Sequence, residues 1–155
     1  MTAQEPKKQQ RIAVQNRKAR HEYSVLDTIE AGIALTGTEI KSIRLGNANL
    51  TDAYASIRNG SAMMSGMYIG PYDQGSYANV DPRRERRLLL HKKELRRLAS
   101  KLGEPGLTLI PLQVHFSGRR AKILLGLCRG KREYDKREDI ARREAERDIR
   151  RHHAR

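Results

Sequence analysis

Residues 107–127 read LTLIPLQVHFSGRRAKILLGL. In the first half Ile110, Leu112, Val114 and Phe116 alternate with their neighbours, and in the second half Ala121, Ile123, Leu125 and Leu127 do the same. Between them Ser117-Gly118 has turn chemistry. Period-two hydrophobicity on both sides of a short glycine turn specifies two antiparallel strands, each with one face toward a core. This hairpin decides the class: the chain is mainly β.

Upstream, residues 53–69 place Asn59-Gly60 between two strand-like runs, a dipeptide suited to the positive φ angles of a two-residue hairpin turn. YSVLDTIEAGIAL (23–35) is rich in β-branched residues and leads into TGTEIKSIRLGN (36–47). There Thr36 and Glu39 have capping-box spacing and Gly46 can close a short helix. Residues 71–87, PYDQGSYANVDPRRERR, read as a long exposed loop. In LLLHKKELRRLASKLG (88–103) the positions Leu95, Leu98, Ala99 and Leu102 form one helical stripe that ends at Gly103. The sum is a small antiparallel β domain with short helices packed on it, closing as a barrel. No repeat at solenoid periods is present. The organisation expected is a flexible basic arm over residues 1–21, one domain over 22–128 and a charged tail over 129–155.

The chain has 155 residues, enough for one core, and 32 Lys and Arg against 18 Asp and Glu, a formal charge of +14. Such a balance favours a polyanionic partner through counterion release. Apolar runs such as Leu88–Leu90 are far too short to cross a bilayer, so no membrane partner is expected. The first twenty residues contain no apolar stretch of the secretory kind. Cys128 is the only cysteine, which excludes an internal disulfide and a cysteine-based zinc site and fits a reducing compartment.

The tail, GKREYDKREDIARREAERDIRRHHAR (130–155), carries acid-to-base pairs four residues apart: Glu133 with Arg137, Glu138 with Arg142, Asp139 with Arg143 and Glu146 with Arg150. Each is worth only about 0.2–0.5 kcal/mol on a helix. Ala141, Ala145 and Ile149 make a narrow apolar stripe, too little to offset the roughly 1–2 kcal/mol per residue of backbone entropy. The tail is therefore expected to be disordered when free, either a solvated appendage or a segment that becomes helical when an anionic surface covers it.

Candidate contacts follow from residue type. Asn16, Arg17, Lys18, Arg20 and His21 gather cations and hydrogen-bonding groups beside a strand start, which suits a phosphate path with one stacking or base-edge contact. Lys41 and Arg44 lie three apart on one helix and can project together, and His91 and Lys92 stand at a helix entrance, where His91 can instead pack or cap. For Glu39 two readings stay open: it caps its helix, or it accepts hydrogen bonds from a guanine edge or ribose hydroxyls. In the tail Lys131, Arg132, Lys136 and Arg137 suit phosphates, Tyr134 suits stacking on an exposed base and Ile149 a small apolar contact. A ribonuclease would draw on His21, His91 or His115 with Glu22 or Glu39. No Walker-type loop or H-x-x-x-H spacing is present, and His152-His153 is a weak metal candidate, so no catalytic residue, metal or cofactor is expected.

Several blocks together, NRKARHEY (16–23), EAGIALTGTEIKSIRLG (30–46), PYDQG followed by N-x-DP-x-R-x-R-x-LLLHK (71–92), GLTLIPL (106–112) and GKREYDKRE (130–138), resemble the SsrA-binding protein family, also called small protein B. The resemblance implies a barrel of the oligonucleotide-binding type and a bacterial cytoplasmic factor of trans-translation. Such a factor binds the tRNA-like domain of transfer-messenger RNA, shares the alanylated RNA with elongation factor Tu and brings it to stalled ribosomes. It further implies that Asn79 belongs to the RNA-binding set. The segment holding Gly130 and Asp135 would meet the ribosomal RNA of the decoding centre and the vacant message channel, with the tail turning helical there. Met63, Met64 and Tyr68 stand where the family often has a Trp-containing strand ending in His, and Cys128-Arg129 where Ala-Lys is common. A ribosomal protein or general RNA chaperone would share the charge and the β architecture but leaves the LLLHK and GKREYDKRE blocks without a role.

Overall fold

The structure is a computed structural model that describes residues 11–131 and 133–153; the side chains of 75–77, 132–139 and 152–153 lie outside that description. In chain order the elements are β1 (Arg11–Gln15), α1 (Arg17–Glu22), β2 (Tyr23–Ile33), α2 (Gly37–Arg44), β3 (Ala48–Asn49), β4 (Tyr54–Arg58), β5 (Ser61–Ser65), β6 (Tyr68–Ile69), a 3-10 turn (Asp73–Ala78), β7 (Arg86–Leu89), α3 (Lys92–Leu102), β8 (Leu107–Ser117), β9 (Arg120–Gly130) and α4 (Glu133–His153).

Strands β8, β4, β5, β7, β2 and β9 pair antiparallel in that order, and β9 pairs back onto β8, so the sheet closes on itself as a barrel. Closure leaves few open edges. The hairpin over 107–127 forms, running from Ser117 opposite Arg120 to Leu107 opposite Arg129. The Asn59-Gly60 hairpin joins β4 and β5, with φ of 52° and 74° at its two turn residues. Inside the ring lie Ala31, Met64, Leu88, Leu109, Val114, Ile123 and Leu125, all buried. Leu98 of α3 and Ile43 of α2 are buried in the same core.

Three expectations are corrected. First, the alternating residues of β8 do not share one face. A bulge between Pro111 and Gln113 shifts the register, so Val114 and Phe116 join the main core while Ile110 and Leu112 pack with Ala19 and Cys128 in a second cluster. Pro111 explains the position: it has no N–H to give a ladder, and a strand holds proline at a bulge. Second, the basic arm is not free over its whole length. Residues 11–15 pair with β8, Arg11 opposite Phe116 and Gln15 opposite Gln113, and α1 buries Ala19 on the second cluster. Third, the loop ends two residues early, since Arg86 is the first residue of β7 and is fully buried. Residues 133–153 are drawn as helix α4, whose described side chains from Ile140 to Arg151 are all exposed.

Among the described residues no helix is long and apolar enough to cross a membrane. Cys128 is completely buried with its Sγ against the Gly126 carbonyl, and burial pushes its thiol up to about 11.

Gly66 has φ +75° and a Cβ position only 2.4 Å from the Asp52 carbonyl oxygen. A side chain there meets both a left-handed conformation and backbone. Gly66→Ala should therefore lower unfolding stability by about 1–3 kcal/mol in a denaturant titration, whereas Gly37→Ala, whose Cβ would meet nothing within 4 Å, should not.

Candidate nucleic-acid interface

Asn16 caps α1. Its Oδ1 accepts from the Ala19 N–H at 3.2 Å, and its Nδ2 donates to the carbonyls of Leu50 at 3.1 Å and Pro111 at 2.9 Å. At 3 % exposure the side chain holds α1 on the barrel. Expected in the RNA-contact set, Asn16 has its side chain engaged within the fold and positions the cations that follow it. With Ala19 turned inward, Arg17, Lys18 and Arg20 are left exposed around the helix, and Lys18 reaches Glu22 at 4.0 Å. His21 is half-buried, and its Nδ1 has no hydrogen-bond partner among the described residues.

The root of the tail joins this helix. Gly130 pairs with Tyr23, the Lys131 N–H donates to the Glu22 carbonyl at 2.9 Å, and the Lys131 Nζ donates to the Arg20 carbonyl at 3.3 Å. The α1 cations and the first tail residues thus share one end of the barrel. Arg132 lies outside the described residues, and of Tyr134, Asp135, Lys136 and Arg137 only the helical backbone is described. Ile149 is 57 % exposed on α4.

At α2 both capping-box bonds are present: Thr36 Oγ1 accepts from the Glu39 N–H, and Glu39 Oε1 accepts from the Thr36 N–H. The same carboxylate takes Arg84 Nη2 and Arg86 Nε, each at 2.5 Å. Arg86 also donates to the carbonyls of Met67, Arg84 and Pro82. Burial alone would push the Glu39 carboxyl up. The hydrogen bonds from Arg84, the Thr36 N–H and Arg86 outweigh that and hold it below the usual carboxylate range. Of the two readings of Glu39 the structure carries capping, and adds an internal ion pair that the sequence did not suggest. Both carboxylate oxygens are engaged within the fold.

That ion pair pins residues 71–85 against α2. Asn79 accepts from the Tyr72 N–H and donates to the Tyr72 carbonyl, both at 2.9 Å, so it shapes the loop. Lys41 lies 5.4 Å over the Tyr72 ring, Arg83 5.5 Å over Tyr68, and Arg44 5.1 Å over Phe116. Lys41 and Arg44 therefore stand on a surface edged with aromatic rings, but away from the tail root: Arg44 covers Phe116 near the β8–β9 turn, while Gly130 ends β9. Ten residue steps at about 3.3 Å put these ends roughly 30 Å apart. His91 and Lys92 are exposed at the start of α3, where Glu94 Oε1 accepts from the His91 N–H. Of the histidines weighed for catalysis, His115 is 1 % exposed and bonds Glu30 at 3.1 Å; Lys122 takes the other Glu30 oxygen at 3.0 Å and, opposed by burial, holds that carboxyl low. No metal-holding cluster occurs among the described residues.

The sequence reading missed Arg84 and Arg86 as parts of the site's frame. Their spacing of two in R-x-R before LLL, with proline two before Arg84, was the available signal, since alternate residues of a strand face one side.

The family model that matches this sequence is described as SmpB protein and covers residues 13–155. An SsrA-binding protein of Enterococcus faecalis is 52 % identical over 144 residues, 93 % of this chain and 94 % of the relative. One from Desulforudis audaxviator is 54 % identical over 147 residues, 95 % and 94 % of the two chains. A solved chain from "tmRNA-SmpB: a journey to the center of the bacterial ribosome" shares 53 % identity at a TM-score of 0.67, covering 82 % of this chain and 93 % of its own.

Glu39→Gln should cost about 3 kcal/mol at pH 7, because it leaves Arg86 charged and buried without its partner. The Glu39 pKa is lower folded than unfolded, so its contribution is complete above the unfolded value of about 4.3 and is lost as pH falls through the folded one. Thermal melts of the two chains should differ most at neutral pH and converge in acid.

Proposed function

The chain belongs to the SmpB family of SsrA-binding proteins, and from that premise we propose that it is an RNA-binding adaptor of trans-translation. In this reading it binds the tRNA-like domain of transfer-messenger RNA in the bacterial cytoplasm. It accompanies the alanylated RNA together with elongation factor Tu to stalled ribosomes, and lays its tail in the empty message channel near the decoding centre. Tagging of the unfinished peptide and release of the ribosome follow.

The observation that carries the reading is the family match over residues 13–155, domain and tail together. The geometry supports it. Exposed Arg17, Lys18 and Arg20 sit on a helix locked by Asn16, and a locked platform loses little entropy when phosphates bind. Lys41 and the Tyr72 ring beside it suit a phosphate and a base, the combination that RNA recognition uses. A helix with all its described side chains exposed, like α4, presents its charges to a partner on every side. Lys131, Arg132, Lys136 and Arg137 are assigned to ribosomal RNA phosphates, Tyr134 to a stacked base and Ile149 to a small apolar contact. Gly130 is assigned the exit from the sheet and Asp135 a helix-starting charge.

Replacing Arg17, Lys18 and Arg20 together with glutamine should weaken transfer-messenger RNA binding and flatten its salt dependence, by roughly 0.7–0.9 in the log–log slope for each phosphate that is no longer neutralised. An unchanged slope would remove this helix from the phosphate path.

Deletion of residues 131–155 should spare most RNA affinity and abolish tagging on stalled ribosomes. Ala145→Pro separates helix from charge, since it costs about 3 kcal/mol within a helix and leaves every charge in place. Tagging at the normal rate by that variant would mean that electrostatic attachment suffices.

A further inference from the structure

Leu45 and Ile12 are large apolar residues that the fold leaves in water, at 73 % and 45 % exposure. They line the same recess, about 420 Å³ in volume, between the start of β1, the end of α2 and the β8–β9 turn. Arg11 and Arg44 supply cations to it, and Phe116 is part of its lining. The Arg44 guanidinium lies over the Phe116 ring, whose own exposure is 8 %. Gly46 and Gly118 also border the space, and a Cβ at either would meet nothing within 4 Å. Exposed Arg119 and Arg120 follow Gly118 along the same turn. Among the described residues no carboxylate pairs with Arg11 or Arg44.

We propose that this recess is a binding site for one unpaired RNA nucleotide, with the base against Leu45, Ile12 and the guanidinium plane of Arg44 and the phosphate on Arg11. The inference rests on the reading of the chain as an RNA-binding protein and deepens it at Arg44, by saying what that arginine and the recess beside it hold. Each part of the lining has a reason. Phosphates alone would call for cations without exposed Leu and Ile, whereas an unstacked base needs an apolar or π surface, and an arginine plane serves as one. Packing against Phe116 holds that plane in place, so less freedom is lost on binding. The end of α2 carries the negative pole of the helix, which disfavours a phosphate beside Leu45 and directs it to the Arg11 side. The volume lies within the range of small-ligand sites.

The test uses the full-length protein. Leu45→Ser changes an exposed side chain and should leave the melting temperature unchanged, yet lower the affinity for transfer-messenger RNA roughly tenfold at constant salt slope. Arg11→Gln should reduce the slope of log affinity against log salt by about 0.7–0.9. A benzoylphenylalanine placed at position 45 is irradiated with transfer-messenger RNA alone and with stalled ribosomes. A crosslink to an unpaired nucleotide of the free RNA identifies that source. A crosslink only to ribosomal RNA, with free-RNA affinity intact, supports the same site with a ribosomal nucleotide. Crosslinks only to protein, or none in either arm together with unchanged Leu45→Ser binding, overturn the proposal. Loss of RNA binding by the unsubstituted protein would instead overturn the RNA-binding reading itself.

Discussion

A guanidinium with no solvent exposure has to be answered, and Arg86 is answered by Glu39. Stranding either charge would cost several kcal/mol, so the first turn of α2, the start of β7 and the loop between β6 and β7 are obliged to adopt one mutual arrangement. Arg86 reaches the carbonyls of Met67, Pro82 and Arg84 from one side, and Glu39 reaches the Thr36 N–H from the other. The surface bearing Lys41, Tyr72 and Asn79 is a consequence of that knot. A carboxylate in a chain of charge +14 serves here to place cations, and touches no anion itself.

The long β8–β9 hairpin sets the second dimension. At its turn stand Phe116, the arginine above it and the recess beside Leu45; at its far end β9 runs into Lys131, which is tied to the last turn of α1. One end therefore presents α1 and the tail together, and the other presents the end of α2. In the proposed function this separation has a use: an RNA held along the barrel and a tail sent elsewhere need not compete for the same cations. The bulge at Pro111 makes the arrangement possible, because it turns Ile110 and Leu112 outward to carry Ala19 and so fixes α1 on the outer surface.

Much of this was legible in the chain. Alternation on either side of Ser117-Gly118, the Asn59-Gly60 turn, the Thr36–Glu39 box and the Leu95–Leu98–Leu102 stripe each state a local rule, and each element forms, although the bulge in β8 divides its alternating residues between two clusters. What was hidden depended on partners distant in sequence. Asn16 and Glu39 look like ligand-binding residues because polar side chains near basic clusters usually face solvent, and only the fold reveals the carbonyls and guanidiniums that occupy them. RIAVQ, at 11–15, is a five-residue run inside a polar, basic arm and reads as a strand only once the edge of β8 is available to pair with it. Arg86 reads as loop for the same reason: its burial is set by a carboxylate 47 positions away.

The central claim is that the barrel with its two short helices meets transfer-messenger RNA while α4 is kept for the ribosome. Hydrogen exchange resolved along the chain tests it most directly, with protein alone, with transfer-messenger RNA and with RNA plus stalled ribosomes. The account predicts that RNA slows exchange in residues 17–22, 37–46 and 71–85 and leaves 133–153 as in the free protein, with the tail slowed only when ribosomes are added. Equal protection of 133–153 by RNA alone, or no change in either short helix, would contradict it.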